Sequence, residues 1–297
     1  AICQEAHGRG GASDGGDAMN TPVLSTLGSA EQQLAVYDWR LPNHDTAEAT
    51  RGTVLLVHGL GEHMGRYAHV AAQLNAWGFD VRGYDHYGHG LSSGVRGTLP
   101  TPHRLLDDLA RVIDHTRASA QQATGRLILL GHSMGGLVVA RAAAEQLRPI
   151  DGVVMSSPAL NTGTNWIQKL LLATLPHVAP QLCVDNGLDS AWVARDAQAV
   201  QAYNNDPLVH RKISAALGAW IVQEGANTLA HAAQWHIPTL LLYAGQDRLV
   251  RPEGSAQFAQ TAPAHWVTTH CYGAMYHEIF NDPAVDQVFA DLRAWLV

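Results

Sequence analysis

No stretch of this chain is apolar over the length needed to cross a membrane, and its first residues lack the apolar core of a secretory signal. Cysteine is scarce. Cys3, Cys183 and Cys271 cannot all pair, and their spacing suits no metal site, so free thiols in a reducing, cytoplasmic setting are expected. Charge is thin as well: 15% of residues, a net charge of -7 and no basic cluster, which excludes an electrostatic nucleic-acid binder. The 17 histidines form neither H-E-x-x-H nor any other ligand spacing, and no metal or cofactor is expected. What remains is a globular composition, 46% hydrophobic over 297 residues, enough for one large core with an insertion. Residues 1–18 are rich in Gly and Asp and read as a disordered extension, with Met19 resembling a natural start.

The centre of the pattern is RLILLGHSMGG, Arg126 to Gly136. Leu127 to Leu130 is an unbroken apolar run, as in a parallel strand buried on both faces. Leu137 to Ala140 then starts a helix. Ser133 therefore stands on a sharp strand-to-helix turn, where Gly131 and Gly135 supply the small residues that such an elbow requires. Apolar segments at Val23–Thr26, Leu34–Arg40, Thr53–His58, Phe79–Tyr84 and Gly152–Met155 complete six strands, with helices marked by Val70/Leu74 and Leu105/Leu109/Val112 between them. This rhythm implies βαβ units and a mostly parallel sheet. It breaks between Pro158 and His236, read as an inserted helical lid over residues 161–236, and resumes at Ile237–Tyr243. The core would then be residues 19–160 and 237–297.

A serine hydroxyl needs a base, and the base needs an orienting carboxylate. Asp247 follows one late strand and His277 the last one, giving the order Ser, Asp, His that accompanies this elbow. The oxyanion donors are expected to be the backbone N–H of Met134, at the start of the elbow helix, and of Leu60, in the glycine-rich loop after Thr53–His58. Asp85 is read as a pin for its own glycine-rich loop.

Taken together, HGLGEHMGRY, GYDHYGHGLSSG, GHSMGG, AGQDRLV and YHEIFND resemble the monoacylglycerol lipase and lysophospholipase branch of the α/β-hydrolase fold. The resemblance implies a mostly parallel central sheet flanked by helices, with a helical lid after the sixth strand. It also implies hydrolysis of single-chain acyl esters through Ser133, His277 and Asp247. Glu62, Arg66 and His132 match positions that line the polar, alcohol-side pocket in that family, although a salt bridge or a cap accounts for Glu62 and Arg66 equally well. A general carboxylesterase, a lysophospholipase or an aminopeptidase of the same fold would share the triad. A peptidase needs a lid carboxylate for the substrate amine, and Glu224 is a candidate. Trp166, Ile167 and Leu170 either pack onto the sheet domain or touch a membrane surface transiently.

Overall fold

Period-two alternation in the apolar strands gives the sheet two buried faces. In the computed structural model, which describes residues 21–41, 50–118, 125–163 and 174–297, eight strands form one sheet. They are β1 (Val23–Leu27), β2 (Leu34–Trp39), β3 (Thr53–Val57), β4 (Asp80–Tyr84), β5 (Leu127–His132), β6 (Gly152–Ser156), β9 (Thr239–Ala244) and β10 (Val267–Tyr272). Their spatial order is β1-β2-β4-β3-β5-β6-β9-β10, and all pairings are parallel except β1/β2 and β2/β4. Along β3 and β5, Leu55, Val57, Leu127 and Leu129 enter one core, while Val54, Leu56, Ile128 and Leu130 enter the other. Each such side chain stabilises the fold by roughly 1.5–3 kcal/mol relative to leaving it exposed.

The first core is closed by α2 (Arg104–Arg117) through Leu105, Leu109 and Val112, and by α3 (Met134–Ala144) through Leu137 and Val138. The second is closed by α1 (Ala68–Ala76) through Val70 and Leu74, and by the last helix through Val288, Leu292 and Leu296. The expected sheet and its flanking helices are therefore present.

Between β6 and β9 the described part of the chain adds no strand to this sheet. It forms a helical turn at residues 174–178, a strand β7 (Cys183–Asp185), helix α4 (Ala197–Asn205), a strand β8 (Lys212–Ser214) and helix α5 (Ala215–Ala230). The antiparallel β7/β8 ribbon, with Ile213 in β8, departs from the purely helical expectation. Ser214 ends the ribbon and starts the helix, because its Oγ accepts the Leu217 N–H at 3.2 Å. Leu217, Trp220 and Ile221 of α5 pack into the first core, as their spacing implies. The segment is held over the carboxyl ends of the strands by His210 N–H to Gly61 O and Ser214 N–H to Gly97 O, both 2.8 Å. Asp282 also accepts from Arg195 on both oxygens, at 2.6 and 2.7 Å. After the insertion come α6 (Pro252–Thr261) and α7 (Val285–Leu296). The extension 1–18 and the apolar residues Trp166, Ile167, Leu170 and Leu171 lie outside the described residues.

Candidate active site

The turn between β5 and α3 holds Ser133 at φ 55°, ψ -119°, a region that residues with a Cβ rarely occupy. Packing imposes it. A Cβ at Gly131 would strike the carbonyl oxygen of Gly135, and one at Gly135 would strike that of Val57 in β3. The helix start is thus pressed against two strands, and only glycine fits either position. Ser133 N–H donates to Ser156 O at 2.9 Å and Ser133 O accepts Ala159 N–H at 3.0 Å, so the loop after β6 locks the elbow.

Asp247 stands just past β9 and His277 in the loop after β10, and the structure brings them together. His277 Nδ1 is 2.6 Å from Asp247 Oδ2. Asp247 Oδ1 accepts the N–H groups of Leu249 and Val250, both at 2.9 Å, which fixes the carboxylate before it meets the ring. Both side chains are buried. Burial favours the protonated acid, but the His277 partner and the two N–H donors hold Asp247 below the usual carboxylate range. Burial likewise disfavours a charged His277, yet the Asp247 carboxylate, its hydrogen bond and the charges of Glu278 and Glu62 outweigh it and raise the imidazole pKa.

With Nδ1 committed to Asp247, Nε2 is the nitrogen left to take a proton. The His277 ring lies 4.7 Å, centroid to centroid, from that of His132, the residue before Ser133. Among the described residues, no hydrogen bond joins the Ser133 hydroxyl to His277. The histidine–carboxylate bond is formed, and catalytic hydrogen bonds often tighten only in the substrate complex.

Met134 follows Ser133 directly, and Leu60 follows Gly59, which packs against the elbow. Met134 opens α3, so its N–H has no partner within the helix. The loop carrying Leu60 is drawn against the elbow: a Cβ at Gly59 would lie 3.1 Å from Ser133 Cβ. Its shape is set by His58 Nδ1 to Gly59 O at 2.8 Å and by Gly59 N–H to Glu62 Oε1 at 2.6 Å. Asp85 pins this loop to the next one, accepting Met64 N–H and Leu91 N–H, both at 2.7 Å, and the Tyr37 hydroxyl at 3.0 Å. His58, His86 and His89 pack edge-on and tilted beside it, buried and held neutral by that burial.

Glu62 and Arg66 are committed within the protein. Glu62 Oε1 also accepts the Tyr67 hydroxyl at 2.8 Å, and Oε2 accepts Arg66 Nη1 at 2.6 Å. Arg66 also forms a two-pronged pair with Glu278, Nη1 to Oε1 at 2.7 Å and Nη2 to Oε2 at 2.8 Å. Together with His132 these residues line a cavity of about 10 Å³, about what one water needs. His132 Nδ1 is 3.1 Å from Ser156 Oγ, and burial, then the nearby His277, lower its pKa to about 4.

Sequence reasoning passed over Glu278 and Ser156. Glu278 had one available signal, its position directly after the candidate base. Glu224 is engaged by an arginine rather than left free. It pairs with Arg141 at 2.7 Å, eight residues along α3 from Ser133 and therefore about 12 Å along the helix axis. Among the described residues no group of three or more His, Cys, Asp or Glu side chains is arranged to hold a metal ion.

Comparison with known proteins agrees with this fold. The family profile described as serine aminopeptidase, S33, matches residues 48–284. The chain is 34% identical over 265 residues to a monoacylglycerol lipase of Mycolicibacterium smegmatis, spanning 88% of this chain and 92% of that one. It is 31% identical over 257 residues to phospholipase YtpA of Bacillus subtilis, with 84% and 96% spanned. The crystal structure of the Paleococcus ferrophilus monoacylglycerol lipase superposes with a TM-score of 0.79 at 34% identity, covering 89% of this chain and 98% of that one.

Proposed function

The chain belongs to the serine aminopeptidase S33 family of α/β-hydrolases, and from that premise we propose that Ser133, His277 and Asp247 act as a triad hydrolysing monoacylglycerols or similar single-chain esters. The observation that carries the reading is the 2.6 Å bond from His277 Nδ1 to Asp247, beside a serine strained on its elbow. Ser133 Oγ attacks the ester carbonyl while its proton passes to His277 Nε2. The oxyanion is held by the N–H groups of Leu60 and Met134, worth a few kcal/mol in the transition state. Collapse expels the alcohol, which takes the proton from His277. Water then enters by the same route and releases the fatty acid.

An ester substrate is favoured over a peptide by the state of the carboxylates. Glu224 faces Arg141, while Glu62 and Glu278 are both held by Arg66, so none of the three is free to grip an amine. Glu62 and Arg66 buttress the alcohol side, with His132 as its surface. Residues 161–236 serve as the lid over the core formed by 19–160 and 237–297. The apolar flank of α5 offers a wall for one acyl chain.

Turnover of monoacylglycerols and p-nitrophenyl esters should far exceed that of an aminoacyl arylamide, and a fluorophosphonate should label Ser133 with one equivalent per chain. Comparable arylamide turnover would overturn the ester reading. No helix among the described residues is long and apolar enough to cross a membrane. A transient surface contact through the lid front belongs to the same reading, and polar substitution of Trp166, Ile167 and Leu170 should weaken liposome binding. The thiols of Cys183 and Cys271 are free, which suits a reducing, cytoplasmic location.

A further inference from the structure

One guanidinium joins the two loops on which the proposed reaction depends. Arg66 lies just after the oxyanion loop, on the short helical turn Met64–Tyr67. Through Nη1 it holds Glu62, whose other oxygen fixes Gly59 N–H, one peptide from Leu60. Through Nη1 and Nη2 it holds Glu278, the residue following His277. Glu278 is tied further by Asn281 Nδ2 to Oε2 at 2.7 Å and by its own N–H to Val193 O at 2.8 Å. The three side chains are only 5–11% exposed, and the guanidinium sits 4.9 Å from the centre of the Tyr203 ring, on α4. Two-pronged pairs of this kind fix direction as well as distance.

We propose that Glu278 is a positioning residue for ester hydrolysis: gripped by Arg66, it sets His277 at a fixed distance from the oxyanion loop. The inference rests on the triad reading above. Two carboxylates share one guanidinium, so the cluster carries a net negative charge. That charge faces the imidazolium formed as Ser133 loses its proton. The charged and titratable groups facing His277 are Asp247 after β9, His132 at the end of β5, Glu62 after β3, and Glu278 in its own loop. Of these, Glu278 alone is both next to the base in sequence and bound to the oxyanion-loop clamp.

The test compares wild type, Glu278→Gln and Glu278→Asp on a short-chain p-nitrophenyl ester, with kcat expressed per fluorophosphonate-titrated site so that misfolded chains do not count. Glu278→Gln should lower kcat about 10–100-fold, the scale of a sub-ångström to 1 Å misplacement, with KM changed less than about twofold. It should also move the acid limb of the pH profile to lower pH, since one negative neighbour of His277 is lost. Glu278→Asp keeps the charge but shortens the reach, so kcat should fall while the limb stays near that of wild type. The inference is overturned if Glu278→Gln keeps the kcat per titrated site and the limb of wild type, or if activity is lost only through fewer titratable sites. If the fluorophosphonate fails to label Ser133 in wild type, the triad reading itself falls, a result distinct from an unaffected Glu278→Gln.

Discussion

Ser133→Ala is expected to lower kcat on a monoacylglycerol about 10⁶-fold, close to 8 kcal/mol of barrier, and to abolish fluorophosphonate labelling. The loss is large because the hydroxyl supplies the bond-forming atom, and no other group stands on the elbow. KM and thermal stability should change little, since the side chain does not cap α3 and lies at the edge of the packed core. A second substitution separates chemistry from backbone strain. Both serine and alanine carry a Cβ at φ 55°, ψ -119°, which costs of order 1–3 kcal/mol, whereas glycine adopts this conformation freely. Ser133→Gly should therefore be as inactive as Ser133→Ala yet more stable by about 1 kcal/mol, after allowing for glycine's greater unfolded-state entropy. Chemical denaturation of the two variants measures the difference. Equal stability would show that the elbow is not under strain, and residual turnover above about 1% of wild type would remove Ser133 from the role of nucleophile.

The elbow was legible in the sequence because three local rules coincide there. An apolar strand run, a pair of glycines around a serine and the start of a helix each point to the same turn, and backbone packing explains why the glycines are required. Asp247 and His277 were legible for a different reason. In a parallel sheet, residues just past strand ends gather on one edge whatever their separation in the chain, so topology alone brings them together. The Arg66–Glu278 pair obeys no such rule. Its partners are 212 residues apart, and neither local period nor strand position announces it. Glu224 shows the same limit from the other side: the sequence presents a carboxylate in an insertion, and only the fold reveals that α5 turns it toward Arg141. The β7/β8 ribbon was missed because strands of three residues are too short to display alternation. Ser156 was hidden as the last residue of an apolar strand, where its hydroxyl reads as a chain end rather than as a partner for His132.

Asp247→Asn is expected to lower kcat about 10⁴-fold while sparing the fold, and to alter the pH profile in a defined sense. The amide oxygen can still accept the N–H groups of Leu249 and Val250, so the turn after β9 persists. Its NH₂ then faces His277 Nδ1, donor against donor. The ring answers by placing its proton on Nε2 and accepting at Nδ1, the tautomer that cannot take the serine proton. The pH dependence follows from the same contact. In wild type, burial would lower the His277 pKa, but Asp247 and the neighbouring carboxylates raise it above the ordinary 6.5. Activity needs the neutral ring, so a raised pKa makes the enzyme lose activity earlier on acidification than an ordinary histidine would. Removing the Asp247 charge leaves the lowering effect of burial with less opposition, and the residual activity of Asp247→Asn should titrate at lower pH than that of wild type. Initial rates from pH 5 to 9 on one water-soluble ester, for both proteins, would record the two limbs. A variant limb at or above that of wild type would mean that Asp247 does not govern the charge on His277, and the 2.6 Å contact would then have no part in the chemistry.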